Sequence, residues 1–222
     1  MDPWLAPEPL VQSDDPEIVA TAKAIVGDER DVLRAARRIH LWVYENVEKR
    51  NSAGVPSAVE VLKTRTGDCN EHTVLYVALA RAAGIPSRLA VGLVWANARG
   101  AGPGLYYHAW PEVYAGVSGI AAFSTPETSG GWYALDPTLG QEPADTGHLR
   151  FLVGGLERQV DLLKLIGKLE VDVLPYETPF APVVEDTAGE LAAANRVTST
   201  SEAASRGTPP ASRDKEGQEI AP

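Results

Sequence analysis

The chain has 222 residues, 44% hydrophobic and 23% charged, with a net charge of −10. That length and composition suit one ordinary globular domain, and the acidic balance argues against nucleic acid or anionic lipid as partners, since both need a basic surface. The single cysteine excludes an internal disulfide and a cysteine-rich metal cluster.

Residues 1–13 form an extended, proline-punctuated arm. The opening MDPWLAPEPLVQSDDPE is acidic, unlike the basic start of a signal peptide, and no apolar run reaches the roughly 20 residues of a membrane span. The default expectation is therefore a cytoplasmic protein, or a periplasmic or extracellular one if the chain is cut from a longer exported parent. Asp15-Pro16 supplies an N-cap and a proline at the first helical position, and Gly27 supplies the stop. A second helix is expected over 31–49, with Val32, Ala36, Ile39, Val43 and Val47 at helical spacing. Ser57 and Glu60 make a capping box for a short helix through Leu62.

The central helix is expected from Cys69 to Ala83, stopped by Gly84 and Pro86, with a small-residue face suited to close packing on a sheet. Strands follow at 87–95, 106–114 and 132–136, separated by connections rich in Gly and Pro. A helix at 156–165 and a strand at 169–174 close a domain spanning 14–180. After Phe180 there is no aromatic residue, and 181–222 read as a disordered tail too poor in apolar surface to offset ordering entropy. His40 (in a helix) and His148 (in a loop) read as structural or exposed, and Trp42 and Trp95 as core.

The chemistry concentrates in three blocks: GDCNEH at 67–72, YHAWPEVY at 107–114 and GWYALDPT at 131–138. Asp68 can cap the central helix, with Glu71 reaching back as its capping-box partner. That leaves Cys69 at the positive end of the helix dipole, where thiol pKa values fall. A lone thiol followed by a histidine and an acid suggests a nucleophile, an imidazole base and an orienting carboxylate. Alternation puts His108 on the strand face of Tyr106, Trp110, Glu112 and Tyr114, and Asp136 on that of Trp132. If the two strands are neighbours, Asp136 can fix the imidazole tautomer while the other ring nitrogen faces Cys69, with Trp110 and Trp132 as walls. The bland alternatives are a filler cysteine, an ordinary strand histidine and an aspartate starting a turn before Pro137. His72, one turn from Cys69, projects alongside it and makes a poor rival base or half metal site. No metal is expected, and no Asp/Asn/Glu loop has calcium-binding spacing.

These three blocks, with the alanine-rich helix and GIPSR at 84–88, resemble the bacterial branch of the transglutaminase-like superfamily over about residues 30–140. The resemblance implies an α+β, papain-like fold in which the cysteine helix packs on an antiparallel sheet. It implies Cys69 as nucleophile, His108 as base and Asp136 as orienting acid, acting without a cofactor on amide bonds of a protein or peptide through a thioester. Hydrolysis is the expected outcome, because the short chain lacks the extra β-domains of the large crosslinking enzymes. Crosslinking by transfer to amines is the alternative, and a catalytically silent binding or scaffold module the second. The Cys69 N–H would supply one oxyanion donor, with Trp42, Asn51 and Asn70 as candidates for another.

Overall fold

The structure is a computed structural model, and it describes residues 3–50, 57–98, 102–116 and 131–154. The expected helix at 156–165, strand at 169–174 and tail at 181–222 lie outside the described residues, as does Asn51.

Local capping sets the helix starts. In α1 (Pro16–Val26) the Asp15 carboxylate accepts the N–H groups of Glu17 and Ile18 at 2.8 and 3.3 Å, while Gly27 ends the helix at φ +58°. In α2 (Val32–Asn46) Asp31 accepts the Arg34 N–H at 2.8 Å. This helix ends three residues earlier than its periodicity suggests, because Val47 turns into a two-residue strand, β1 (Glu48–Lys49). Ser57 caps α3 (Ala58–Thr64), after which Arg65 takes a left-handed turn into β2 (Thr66–Gly67). β1 and β2 pair in parallel, tying the end of α2 to the residues just ahead of the cysteine.

The central helix α4 (Cys69–Ala82) is buried continuously from Glu71 to Arg81. The sheet encloses this helix on one side, and α1, α2 and α3 pack on the side away from the sheet. Ile18, Ile39, Val43 and Val61 meet Leu75 and Leu79 in this core, and Leu89, Val113 and Leu135 supply the sheet side. Arg81 is a buried cation, but its Nε donates to the Ser87 carbonyl at 3.0 Å and its Nη1 to Ala6 O and Glu8 Oε1 at 2.6 and 2.8 Å. The N-terminal segment is thereby seated on the domain, with Val11 buried and the Trp4 carbonyl accepting from Ser87 N.

The antiparallel sheet runs β5-β4-β3-β6, made of β3 (Ser87–Ala98), β4 (Gly102–Ala115), β5 (Gly131–Ala134) and β6 (His148–Val153). β3 and β4 are longer than expected, and Trp95 on β3 is exposed rather than core. β5 stops short of Asp136, and β6 occupies a stretch expected to be loop. Its alternation is masked because Leu149 and Phe151 remain exposed. The β3–β6 ladder shifts register between Val91 and Gly92, where a Cβ on Gly92 would overlap the backbone carbonyl of Leu149. Gly92→Ala should therefore push β6 off the sheet and cost about 1–3 kcal/mol, as overpacking does, read as a lower urea midpoint. An unchanged midpoint would show that β6 accommodates the methyl group.

Candidate active site

The loop before α4 is built around its caps. The Asp68 carboxylate accepts the Asn70 N–H at 2.9 Å, and the Asp68 N–H donates to Glu71 Oε2 at 2.9 Å. Glu71 folds back over Gly67, where any Cβ would collide with its side chain, so the glycine of the GDC run is a packing requirement. His72 is fully buried, its ring nitrogens facing the carbonyls of Asp68 at 2.7 Å and Val47 at 3.2 Å. It clamps the cysteine turn to the α2–β1 junction, and burial lowers its pKa.

Cys69, at the first position of α4, is partly buried against Val91 and Ala109, the pair on which Tyr107 and Leu152 also pack. Among the described residues β5 pairs with residues 112–115 of β4, and ahead of that stretch the Cys69 sulfur accepts the backbone N–H of Ala109. The helix start was expected to lower the thiol pKa, but the surroundings act the other way. Burial first, then the charges of Asp68, Asp136 and Glu71, push it up to about 12, against the single Ala109 N–H.

His108 is next to Ala109 on β4, and its Nε2 lies 2.7 Å from Asp136 Oδ2. Asp136, just past β5, is completely buried and held on every side. Its Oδ1 accepts the N–H groups of Thr138 and Leu139 at 2.8 and 2.9 Å. Its backbone exchanges hydrogen bonds with Gln141, and its carbonyl accepts from His40 Nε2 at 3.1 Å. Its Oδ2 also meets His148 Nε2 at 3.0 Å. Burial would raise the carboxyl pKa, yet the hydrogen bonds from His108 and His148 hold it well below the usual carboxylate range.

His40 and His148, read from sequence as structural or exposed, thus both touch Asp136. The His148 side chain is 4% exposed, opens β6, and is braced at Nδ1 by Asp145. The available signal was its place at the start of an HLRFLV run three residues after an aspartate. The ligand atoms of His108, Asp136 and His148 lie within 4.8 Å of one another, the donor set of a divalent-ion site. At 2.7 and 3.0 Å, Asp136 Oδ2 is within hydrogen-bond distance of both rings.

The aromatic candidates separate. Trp110 is buried, stacked beside His108 at 6.1 Å and edge-on to His148 at 5.0 Å. Trp132 pairs with Tyr114, six residues or about 20 Å along β4 from His108. It packs there with Trp4 and under the Arg88 guanidinium, and does not wall this site. Trp42 lies partly buried under Arg65, 4.3 Å from ring centre to guanidinium. Asn70 Oδ1 accepts the Tyr107 hydroxyl at 3.2 Å, a contact the sequence did not suggest, and burial raises the Tyr107 pKa.

Residues 19–137 match the sequence profile of the transglutaminase-like superfamily. A solved structure of a candidate cysteine protease from Cytophaga hutchinsonii is 26% identical, with a TM-score of 0.55 over 68% of this chain and 46% of that one. The periplasmic domain of TgpA from Pseudomonas aeruginosa is 21% identical, with a TM-score of 0.40 over 56% of this chain and 43% of that one. An uncharacterized protein of Haemophilus influenzae is 39% identical over 74 residues, which are 31% of this chain and 20% of that protein. The chain therefore spans less than half the length of these relatives. Among the described residues, no helix is long and apolar enough to cross a membrane.

Asp136 is depressed in the folded state, so its stabilisation is present above the unfolded carboxyl pKa and is lost as pH falls through the folded value. Asp136→Asn should cost about 2 kcal/mol at pH 7 and flatten the acid side of a urea-midpoint profile. A variant with the wild-type acid limb would show that another carboxylate dominates.

Proposed function

The chain belongs to the transglutaminase-like superfamily, and on that premise we propose that it is a Cys-His-Asp enzyme cleaving amide bonds of a protein or peptide through a Cys69 thioester. The observation that carries this reading is the conjunction at one point of β4. His108 is anchored to a buried carboxylate at 2.7 Å through Nε2, and the residue beside it gives its N–H to the Cys69 sulfur. Nδ1 is then the nitrogen left to serve the thiol.

Because burial and the nearby carboxylates hold the Cys69 pKa up, nucleophile and base act together. The sulfur attacks the carbonyl carbon as its proton passes to His108 Nδ1, forming a C–S bond and an oxyanion. The Cys69 N–H, at the first helical position, has no partner within the helix and donates to that oxyanion. Asn70, whose Oδ1 is engaged by Tyr107, presents its amide Nδ2 as the second donor. The imidazolium protonates the departing amine as the C–N bond breaks. Water, deprotonated by His108, then cleaves the thioester to a carboxylic acid and restores the thiol. Asp136 remains an anion throughout, stabilising the imidazolium and fixing its tautomer.

Hydrolysis is the favoured fate of the thioester, and transfer to a primary amine the alternative. Incubation with peptide p-nitrophenyl esters and anilides, followed by intact-mass analysis, should trap an acyl group on Cys69 and yield free acid even with a competing primary amine present. Dominance of the amine adduct would turn the assignment to crosslinking. Cys69→Ser should abolish turnover without unfolding, and Asn70→Ala should lower kcat about 100-fold. Equal product from wild type and Cys69→Ser would refute the proposal and favour a binding or scaffold module.

A further inference from the structure

His148 has no part in the chemistry just described, yet it is more tightly constrained than His108. Its Nδ1 lies 3.2 Å from the Asp145 carbonyl and 3.1 Å from Asp145 Oδ1, and its Nε2 lies 3.0 Å from Asp136 Oδ2. All three partners are oxygens that only accept. A neutral imidazole carries one N–H and would set a bare lone pair against one of these oxygens, whereas the doubly protonated ring satisfies both sides.

We propose that His148 is a positioning residue, held as a resident imidazolium that clamps Asp136 Oδ2 and balances its charge, leaving less of that charge to act on His108. The inference deepens the reading above and rests on it only where it concerns His108 and Cys69. A single carboxylate oxygen receives both histidines, so their demands compete. With the His148 cation already in place, Asp136 has less attraction left for a second cation on His108. A thiolate facing a His108 imidazolium is then less favoured than it would be beside an unshared carboxylate.

Among the described residues, the titratable groups packed against His148 are Asp145 on its own loop, Asp136 beyond β5, and His108 on β4, whose ring centre is 5.7 Å away. Trp110 packs edge-on to the ring, Val94 lies opposite it across the β3–β6 ladder, and Arg150, two residues along β6, is ion-paired with Glu112 on β4. Burial opposes a charge on the ring, but the bonds to Asp136 and then Asp145 outweigh it and raise the His148 pKa. The sign follows. The stabilisation is full below the unfolded histidine pKa and fades as pH rises through the folded value.

The direct test is the ring ¹⁵N spectrum of His148 at pH 7 in the intact chain, where both nitrogens should report N–H. A neutral tautomer there overturns the proposal whether or not the protein turns over any substrate. The functional test is alkylation of Cys69 by iodoacetamide. His148→Gln keeps a donor toward Asp136 but removes the charge, so Cys69 should alkylate roughly tenfold faster at pH 7 as the whole Asp136 charge turns to the thiolate–imidazolium pair. A residue that only braced the fold would give an equal or slower rate, and that result refutes the inference. If His148→Gln fails to fold, Asp145→Asn is the substitute, since Asp145 is exposed and asparagine can still accept from Gly147 N. It should lower the pH at which His148 loses its proton and speed alkylation in the same direction, and no change in either would be fatal.

Discussion

A carboxylate with no solvent exposure is the constraint around which the candidate site is arranged. Asp136 loses its hydration on folding, and leaving a buried charge uncompensated is among the costliest errors a protein can make. The chain answers with two backbone amides on one oxygen and two histidines on the other. Those partners come from β4, β6 and the turn after β5, so the anion is satisfied only when the sheet has its final register. Satisfying that charge and orienting His108 are the same structural act.

The parts of this arrangement that are local in sequence were legible there. A capping box is an i to i+3 code, so Asp68 and Glu71 announced the start of α4 and put Cys69 in its first turn. Gly27 and Gly84 likewise marked real stops, because glycine alone takes their positive φ freely. His108 and Asp136 were readable as candidates from their order, and β4–β5 pairing supplies the proximity that order cannot.

What escaped the reading depends on long-range placement. Alternation assigns a residue to a face of a strand but says nothing about position along it, which is why Trp110 and Trp132 looked equivalent. β6 is an edge strand with exposed apolar residues, so its pattern gave no inside and outside, and His148 was lost with it. The surroundings of the thiol escaped the reading for a related reason. The helix dipole can be inferred from a cap, whereas the burial of Cys69 and its nearness to three carboxylates depend on the assembled fold.

The enclosure of α4 governs how the protein can vary. With no solvent face from Glu71 to Arg81, the helix has no stretch where changes pass unnoticed. Removing a methylene at Leu75 or Leu79 would open a void in the core around the helix, and adding one would shift the rod on which the sulfur rides. Even the Tyr76 hydroxyl is spent on the Ala36 carbonyl of the neighbouring helix. Drift in such a lineage is therefore channelled outward to the caps, loops and edges, and the sulfur keeps its bearing because its support has nowhere to move.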